Sequence, residues 1–201
     1  MQQDMNAVDV ILGRVSPIRL AEPGPSASET DRIVAAGLRA PDHGQLRPWK
    51  FLLVRGEARE AFGKLTAESL RRRQPASSDE ALRMEAAKAL RAPLLIVAAT
   101  TPRNTVKVPA IEQVAATAAA VENMLIAAHA LGYGGFWRTG AAAYDPLFIK
   151  ALGLDEGDQI VGFIYVGNIA VPGKPKYPQA DGVVEVWTGS GKSSPNDEPS
   201  G

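Results

Sequence analysis

From about Ile111 to Leu131 the chain is a long Ala-rich apolar run, and it closes on Gly132-Tyr133-Gly134-Gly135. Small side chains let another helix or a flat ligand approach closely, and the length suits an element that spans a whole domain. Glycine ends such a helix because it adopts the left-handed cap conformation without steric cost. The chain then enters Gly135-Phe136-Trp137-Arg138, a short aromatic strand that sets Arg138 at an element boundary, where binding groups tend to collect. Its part from Val114 to Leu131 comes closest of any stretch to a membrane span. Glu122, Asn123 and His129 interrupt it, however, and alanine is only weakly apolar, so a buried helix of a soluble domain is expected.

The remaining pattern divides into alternating elements. A short N-terminal helix ends over Asp9 to Gly13. A second opens at Ser28-Glu29-Thr30-Asp31, carries Ile33, Val34, Gly37 and Leu38 at helical spacing, and stops at Pro41. Trp49 to Val54 reads as a strand, Glu57 to Arg73 as a helix with a basic end, and Asp79 to Leu90 as another helix. Pro93 to Ala99 is almost continuously apolar, as expected of a central strand covered on both faces. Asp145-Pro146 starts a helix through Leu152, and Ile160 to Val166 is a further strand. Composition shifts after Gly167. Val183 to Trp187 is an isolated strand-like run with no local partner, expected along a sheet edge, that of another subunit included. Residues 189–201 are expected to be a disordered tail to a single domain over 1–188. The elements interleave without a βαβ rhythm, which favours an α+β fold in three layers.

Composition narrows the function. The 201 residues suffice for one domain. Lys plus Arg and Asp plus Glu each total 22. That balance argues against a nucleic-acid or membrane-surface binder, while a local basic pocket stays open. With no cysteine, disulfides, thiolate metal sites, iron–sulfur clusters and cysteine nucleophiles are excluded. Met1 to Leu12 carries Asp4 and Asp9 and lacks a basic start with an apolar core, so no signal peptide and a cytoplasmic address are expected.

Three segments carry candidate chemistry. Arg14, Ser16 and Arg19 read either as a solvated helix end or as a phosphate clamp, since arginine offers a planar fork matched to phosphate. Arg39-Ala40-Pro41-Asp42-His43 brings another cation and one of two histidines, read either as a turn or as a binding loop. Trp137-Arg138 reads either as a core tryptophan beside a surface arginine or as part of a site. His43 and His129 lack flanking ligands at metal spacing, which argues against zinc. The glycines at 132–135 follow a helix and precede a strand, the reverse of a dinucleotide fingerprint. No Walker loop, nucleophile elbow or acid–base pair stands out, so in an enzyme the chemistry would belong to a cofactor.

In order, Arg14 to Ser16, Arg39 to His43, Pro48-Trp49, Arg91-Ala-Pro93, Lys107-Val-Pro109, Glu112-Gln113, Gly134 to Gly140 and Ile160 to Gly167 resemble the FMN-dependent nitroreductase superfamily. The likeness is greatest to its small YdjA-like branch of NAD(P)H nitroreductases. The resemblance implies a mostly antiparallel central sheet flanked by helices, in an intertwined homodimer with FMN at the interface. It implies that Arg14, Val15 and Ser16 hold the flavin phosphate and ribityl chain, that Arg39 and His43 contact FMN, and that Trp137, Arg138 and Thr139 complete the site. Nicotinamide contacts would fall on Ala127, Ala128, His129, Ala130, Leu131 and Gly132. Many relatives carry a basic residue at the place of Ile18, where this chain has Arg19 one place later, and the usual Gln-Pro-Trp is Arg47-Pro48-Trp49 here.

The implied activity is ping-pong transfer from NAD(P)H through FMN to a nitroaromatic, quinone or related small acceptor. A specialised reductase of one metabolite and a flavin storage or sensor protein are the other readings.

Overall fold

The computed structural model describes residues 6–104, 107–174, 182–187 and 189. Among the described residues five strands make one sheet: β1 Arg19–Ala21, β2 Trp49–Arg55, β3 Leu94–Thr100, β4 Gly134–Arg138 and β5 Gln159–Val171. Every pairing is antiparallel. β5 organises the sheet: residues 163–166 pair with both β3 and β4, one on each edge, and Asn168 to Val171 pair with β1. β2 closes the far side against β3.

All seven residues of β3 are buried. Because side chains alternate across a strand, Leu95, Val97 and Ala99 face one layer, and Leu94, Ile96 and Ala98 face the other. The first layer holds α3 (Ala58–Arg73) and α6 (Pro146–Ala151), with α4 (Asp79–Ala87) packed on α3. Phe62, Phe148 and Phe163 meet edge to face at its centre, 5.5 to 6.1 Å apart. The second layer holds α2 (Ala27–Gly37) and α5 (Ala110–Ala130), which bring Ile33, Val121, Met124 and Leu125 onto the sheet. α1 (Ala7–Gly13) lies against α5. The α+β class and its three layers are as expected, and no helix among the described residues is long and apolar enough to cross a membrane.

Four details differ from the expectation. α2 opens at Ser26, two residues early: the Ser26 hydroxyl accepts from the Glu29 amide and the Glu29 carboxylate accepts from the Ser26 amide, closing a capping box. The helix from Asp79 gives way after Ala87 to a 3-10 turn over Lys88–Arg91. β5 runs on through Gly167 to Val171. A Cβ at Gly167 would lie 2.5 Å from Pro93 Cδ, so glycine there marks close packing of β5 on Pro93 rather than a strand end. Val183 to Trp187 forms no strand: after a turn at Gly182–Val183 the run is irregular and exposed, with no ladder partner among the described residues. Apart from Gly189, the expected tail over 189–201 lies outside the described residues.

Candidate functional site

α1 is capped by Asn6, whose Oδ1 accepts from the Val8 amide at 3.1 Å, and it ends at Gly13. Arg14 then leaves in extended backbone, and its side chain lies against the middle of α5, where Nε donates to Glu122 Oε1 at 3.2 Å. Arg14 Nη1 is buried and has no hydrogen-bond partner among the described residues. Leaving such a donor unpaired costs about 1–3 kcal/mol, more when the group is charged, so this nitrogen is placed for an acceptor from outside the described residues. His129 lies two turns beyond Glu122 on α5, on the same face. Burial first, and the Arg14 charge second, push its pKa below the ordinary value, so the ring is neutral at neutral pH and adds no repulsion to Arg14. Val15 is half-buried and Ser16 exposed. The segment is pinned at its far end: the Ile18 amide donates to Val171 O at 3.0 Å, and a Cβ at Gly173 would lie 2.2 Å from Ser16 O.

Arg39 and His43 occupy a second station. Both are exposed, and His43 Nδ1 lies 2.6 Å from Glu112 Oε2 in the first turn of α5. Glu112 and Glu122 are ten residues apart, so the two stations are separated by about 15 Å along that helix. The loop beyond His43 is strained. Gln45 and Arg47 take φ of 51° and 49°, left-handed values that side chains rarely adopt. Asp42 Oδ2 holds the turn by accepting from the Arg47 amide at 2.6 Å. Arg39, Asp42, Gln45, Arg47 and Trp49 line a cavity of about 390 Å³.

Trp137, Arg138 and Thr139 form the third station, at the end of β4. The Trp137 indole donates to Val161 O at 3.2 Å and lies across Gly162, where a Cβ would come 1.9 Å from Nε1. Arg138 is exposed, its guanidinium 5.4 Å from the centre of the Phe136 ring, which stacks on Tyr165 at 4.9 Å. It borders two cavities. One, of about 570 Å³, includes Ile18, Arg19 and Arg91, so Arg19 shares a cavity with Arg138 despite its one-place offset. The other, of about 500 Å³, includes Thr139, Arg73 and Arg91.

The Ala127 to Gly132 segment is the C-terminal end of α5. Ala128 is buried, and Ala127 and Leu131 pack on the core. The amides of Leu131, Gly132 and Tyr133 donate back to Ala127, His129 and Ala128 carbonyls, and Gly132 takes φ 87°. Ala130 and Gly132 are exposed and His129 is half-exposed.

Sequence reasoning missed the acidic partners Glu122 and Glu112 and the cations Arg73 and Arg91. One signal was present: the polar interruptions of the Ala-rich helix each have a job. Glu122 holds Arg14, His129 sits beside it, and Asn123 donates to Ala36 O at 3.2 Å near the end of α2.

Residues 20–168 match the family model described as Nitroreductase family. The chain belongs to the nitroreductase family. It is an oxidoreductase by that membership, and the match begins just after Arg14 to Ser16. The Escherichia coli K12 protein "Putative NAD(P)H nitroreductase YdjA" is 39% identical over 164 residues, covering 82% of this chain and 88% of that one. A Haemophilus influenzae relative, "Putative NAD(P)H nitroreductase", is 31% identical over 168 residues, covering 82% and 89%. Among solved structures, the nitroreductase-like family protein of Bacillus cereus superposes with a TM-score of 0.77 at 24% identity, over 94% of this chain and all of that one. A Bacteroides fragilis nitroreductase solved with bound FMN superposes at 0.70 and 22% identity, over 91% of this chain and all of that one.

Proposed function

We propose that this nitroreductase-family protein is an FMN-dependent NAD(P)H oxidoreductase that works as a homodimer and reduces small acceptors of the nitroaromatic or quinone kind. The observation that carries the cofactor is the buried, unpaired Nη1 of Arg14. A flavin phosphate is the acceptor that this nitrogen lacks, and the neighbouring residues fit it. Glu122 orients the guanidinium through Nε, leaving the Nη edge for phosphate, and the exposed Ser16 hydroxyl can add a neutral hydrogen bond. Val15 continues that segment along the ribityl chain. When bound, FMN supplies the two-electron chemistry that links NAD(P)H oxidation to acceptor reduction in separate half-reactions.

The chain's own residues bind and position. Trp137 is fixed against Gly162, which presents Arg138 and Thr139 at the strand end as the third contact set. Arg138, held over Phe136, contributes positive field that favours electron-rich states nearby. Arg39 and His43 complete the site from the partner chain, a reading favoured by their separation from Arg14 along α5. The donor nicotinamide would rest on the surface offered by His129, Ala130 and Gly132, above Ala127, Ala128 and Leu131. No side chain is required as a base, because solvent supplies protons. A single domain over 1–188 and a cytoplasmic address belong to the same reading.

The test is the visible absorption spectrum of the purified protein, before and after anaerobic addition of NADPH. A yellow protein that bleaches is expected. Arg14→Ala should weaken FMN binding at least about tenfold, the value of a lost charge-assisted hydrogen bond, and so should Arg138→Ala. A colourless protein that cannot be loaded with FMN contradicts the function, and unchanged FMN affinity in both variants contradicts the site.

A further inference from the structure

We propose that the cavity of about 500 Å³ between the end of α3, the turn at Lys88–Arg91 and the end of β4 is an anion subsite. It would hold a phosphate or carboxylate carried by one of the enzyme's two reactants. The identity of those reactants rests on the oxidoreductase reading above; the anion preference does not.

Three consecutive arginines end α3, pointing in different directions about 100° apart. Arg71 pairs with Asp79 at 3.5 Å, and Arg72 pairs with Asp145 at 2.8 Å. Arg73 has no carboxylate partner among the described residues and lines the cavity instead. Arg91 and Arg138 line it too, also without carboxylate partners there. The one acidic side chain in the wall, Glu85, is already paired with Lys88 at 2.5 Å. A chain with zero formal charge thus gathers three uncompensated arginines around one hollow. All three are exposed, and their convergence on one hollow raises a local positive field that favours an anion inside it.

The second observation is independent of charge. Tyr165 is only 5% exposed and lines the same cavity, so a phenol is held in the wall beside the arginines. Its hydroxyl would donate to an oxyanion in the cavity. Because Arg138 belongs both to this wall and to the third station of the site, an anion held here would sit beside the flavin contacts.

Two reactants offer such a group: the 2′-phosphate of NADPH, or a carboxylate or phosphate on the acceptor. The purified full chain, with the flavin it carries, is titrated calorimetrically with matched pairs. Adenosine 2′,5′-bisphosphate against adenosine 5′-monophosphate tests the donor. 4-Nitrobenzoate against 4-nitrobenzamide tests the acceptor. The expected result is a preference of about tenfold or more for the bisphosphate over the monophosphate, or for the nitrobenzoate over the nitrobenzamide. Arg73→Ala and Arg91→Ala should each reduce it about tenfold with the neutral or singly phosphorylated twin unchanged, and Arg73→Lys should retain most of it. Whichever pair discriminates names the source.

No preference in either pair overturns the proposal. So does an equal loss for both members of a pair, or a loss of bound FMN from Arg73→Ala, which would give the cavity to the cofactor. The wild-type spectrum separates the two ideas. A colourless protein that still selects the anion rejects the function and keeps the subsite; a yellow one without selection does the reverse.

Discussion

Trp137 is readable in the sequence as a large residue beside a cation, but what fixes it is Gly162, twenty-five positions later. The indole crosses β5 where the strand has no side chain, and Nε1 donates to the adjoining Val161 carbonyl. A methyl group there would lie 1.9 Å from Nε1, and a bulky ring held on both sides cannot yield cheaply. Gly162→Ala should therefore destabilise the protein by about 1–3 kcal/mol, the usual cost of overpacking. Urea denaturation of a double-mutant cycle isolates the contact. In a Trp137→Ala background the added methyl should cost almost nothing, and a penalty of the same size there would mean that the strain lies in the backbone of β5. Arg14 makes a related point. Its type and boundary position show in the sequence, while its partner Glu122 lies 108 residues away and only packing of α1 on α5 joins them.

Between elements, Asp145 does two jobs. It caps α6, accepting from the Leu147 amide at 3.0 Å and the Phe148 amide at 3.4 Å, and it ties α6 to the end of α3 through Arg72. Burial works to raise its pKa. The nearby Ser69 hydroxyl, the Arg72 guanidinium and the Leu147 amide outweigh burial, and the carboxyl lies below its ordinary value. The sign follows by linkage. A carboxyl with a depressed folded-state pKa contributes stability that is complete above its unfolded value, near 3.8, and is lost as pH falls through the folded one. Asp145→Asn should therefore lower stability at neutral pH, by roughly 1–3 kcal/mol for the lost charge and weakened cap. It should also flatten the dependence below about pH 4. Denaturant melts of both proteins from pH 7 to pH 3 check this; parallel curves would contradict it. Elements with a local signature were legible in the sequence: the Asp145-Pro146 start, the β3 run and the glycine stop of α5 all stand within a residue or so of expectation. Elements that depend on distant partners were not. β1 exists because β5 extends to receive it, and Val183 to Trp187 has strand-forming residues but no ladder among the described residues.

Across the whole molecule, family and layer order followed from short segments in sequence order, since each marks a turn, cap or strand that the fold repeats. The candidate site was legible as residue types but not as one place: Arg14, His43 and Arg138 stand at separate stations, and the first two contact the same helix, α5, through Glu122 and Glu112. A second copy is the economical way to bring them together. The same inference explains an otherwise costly surface. Val183, Val184, Val186 and Trp187, interrupted only by Glu185, are 63% to 79% exposed. Four large apolar side chains in one short segment would leave water if a partner covered them, gaining about 25 cal/mol per Å² covered. If the partner is another copy, Val184→Asp with Trp187→Ala should shift the protein from dimer to monomer in sedimentation velocity at micromolar concentration. FMN affinity should fall with it by at least about tenfold, because Arg39 and His43 of the partner leave the site. Arg14→Ala supplies the contrast: weaker FMN binding with the dimer intact. A double variant that stays dimeric would remove this segment from the interface, and a monomer that binds FMN at full affinity would place the whole cofactor site within one chain.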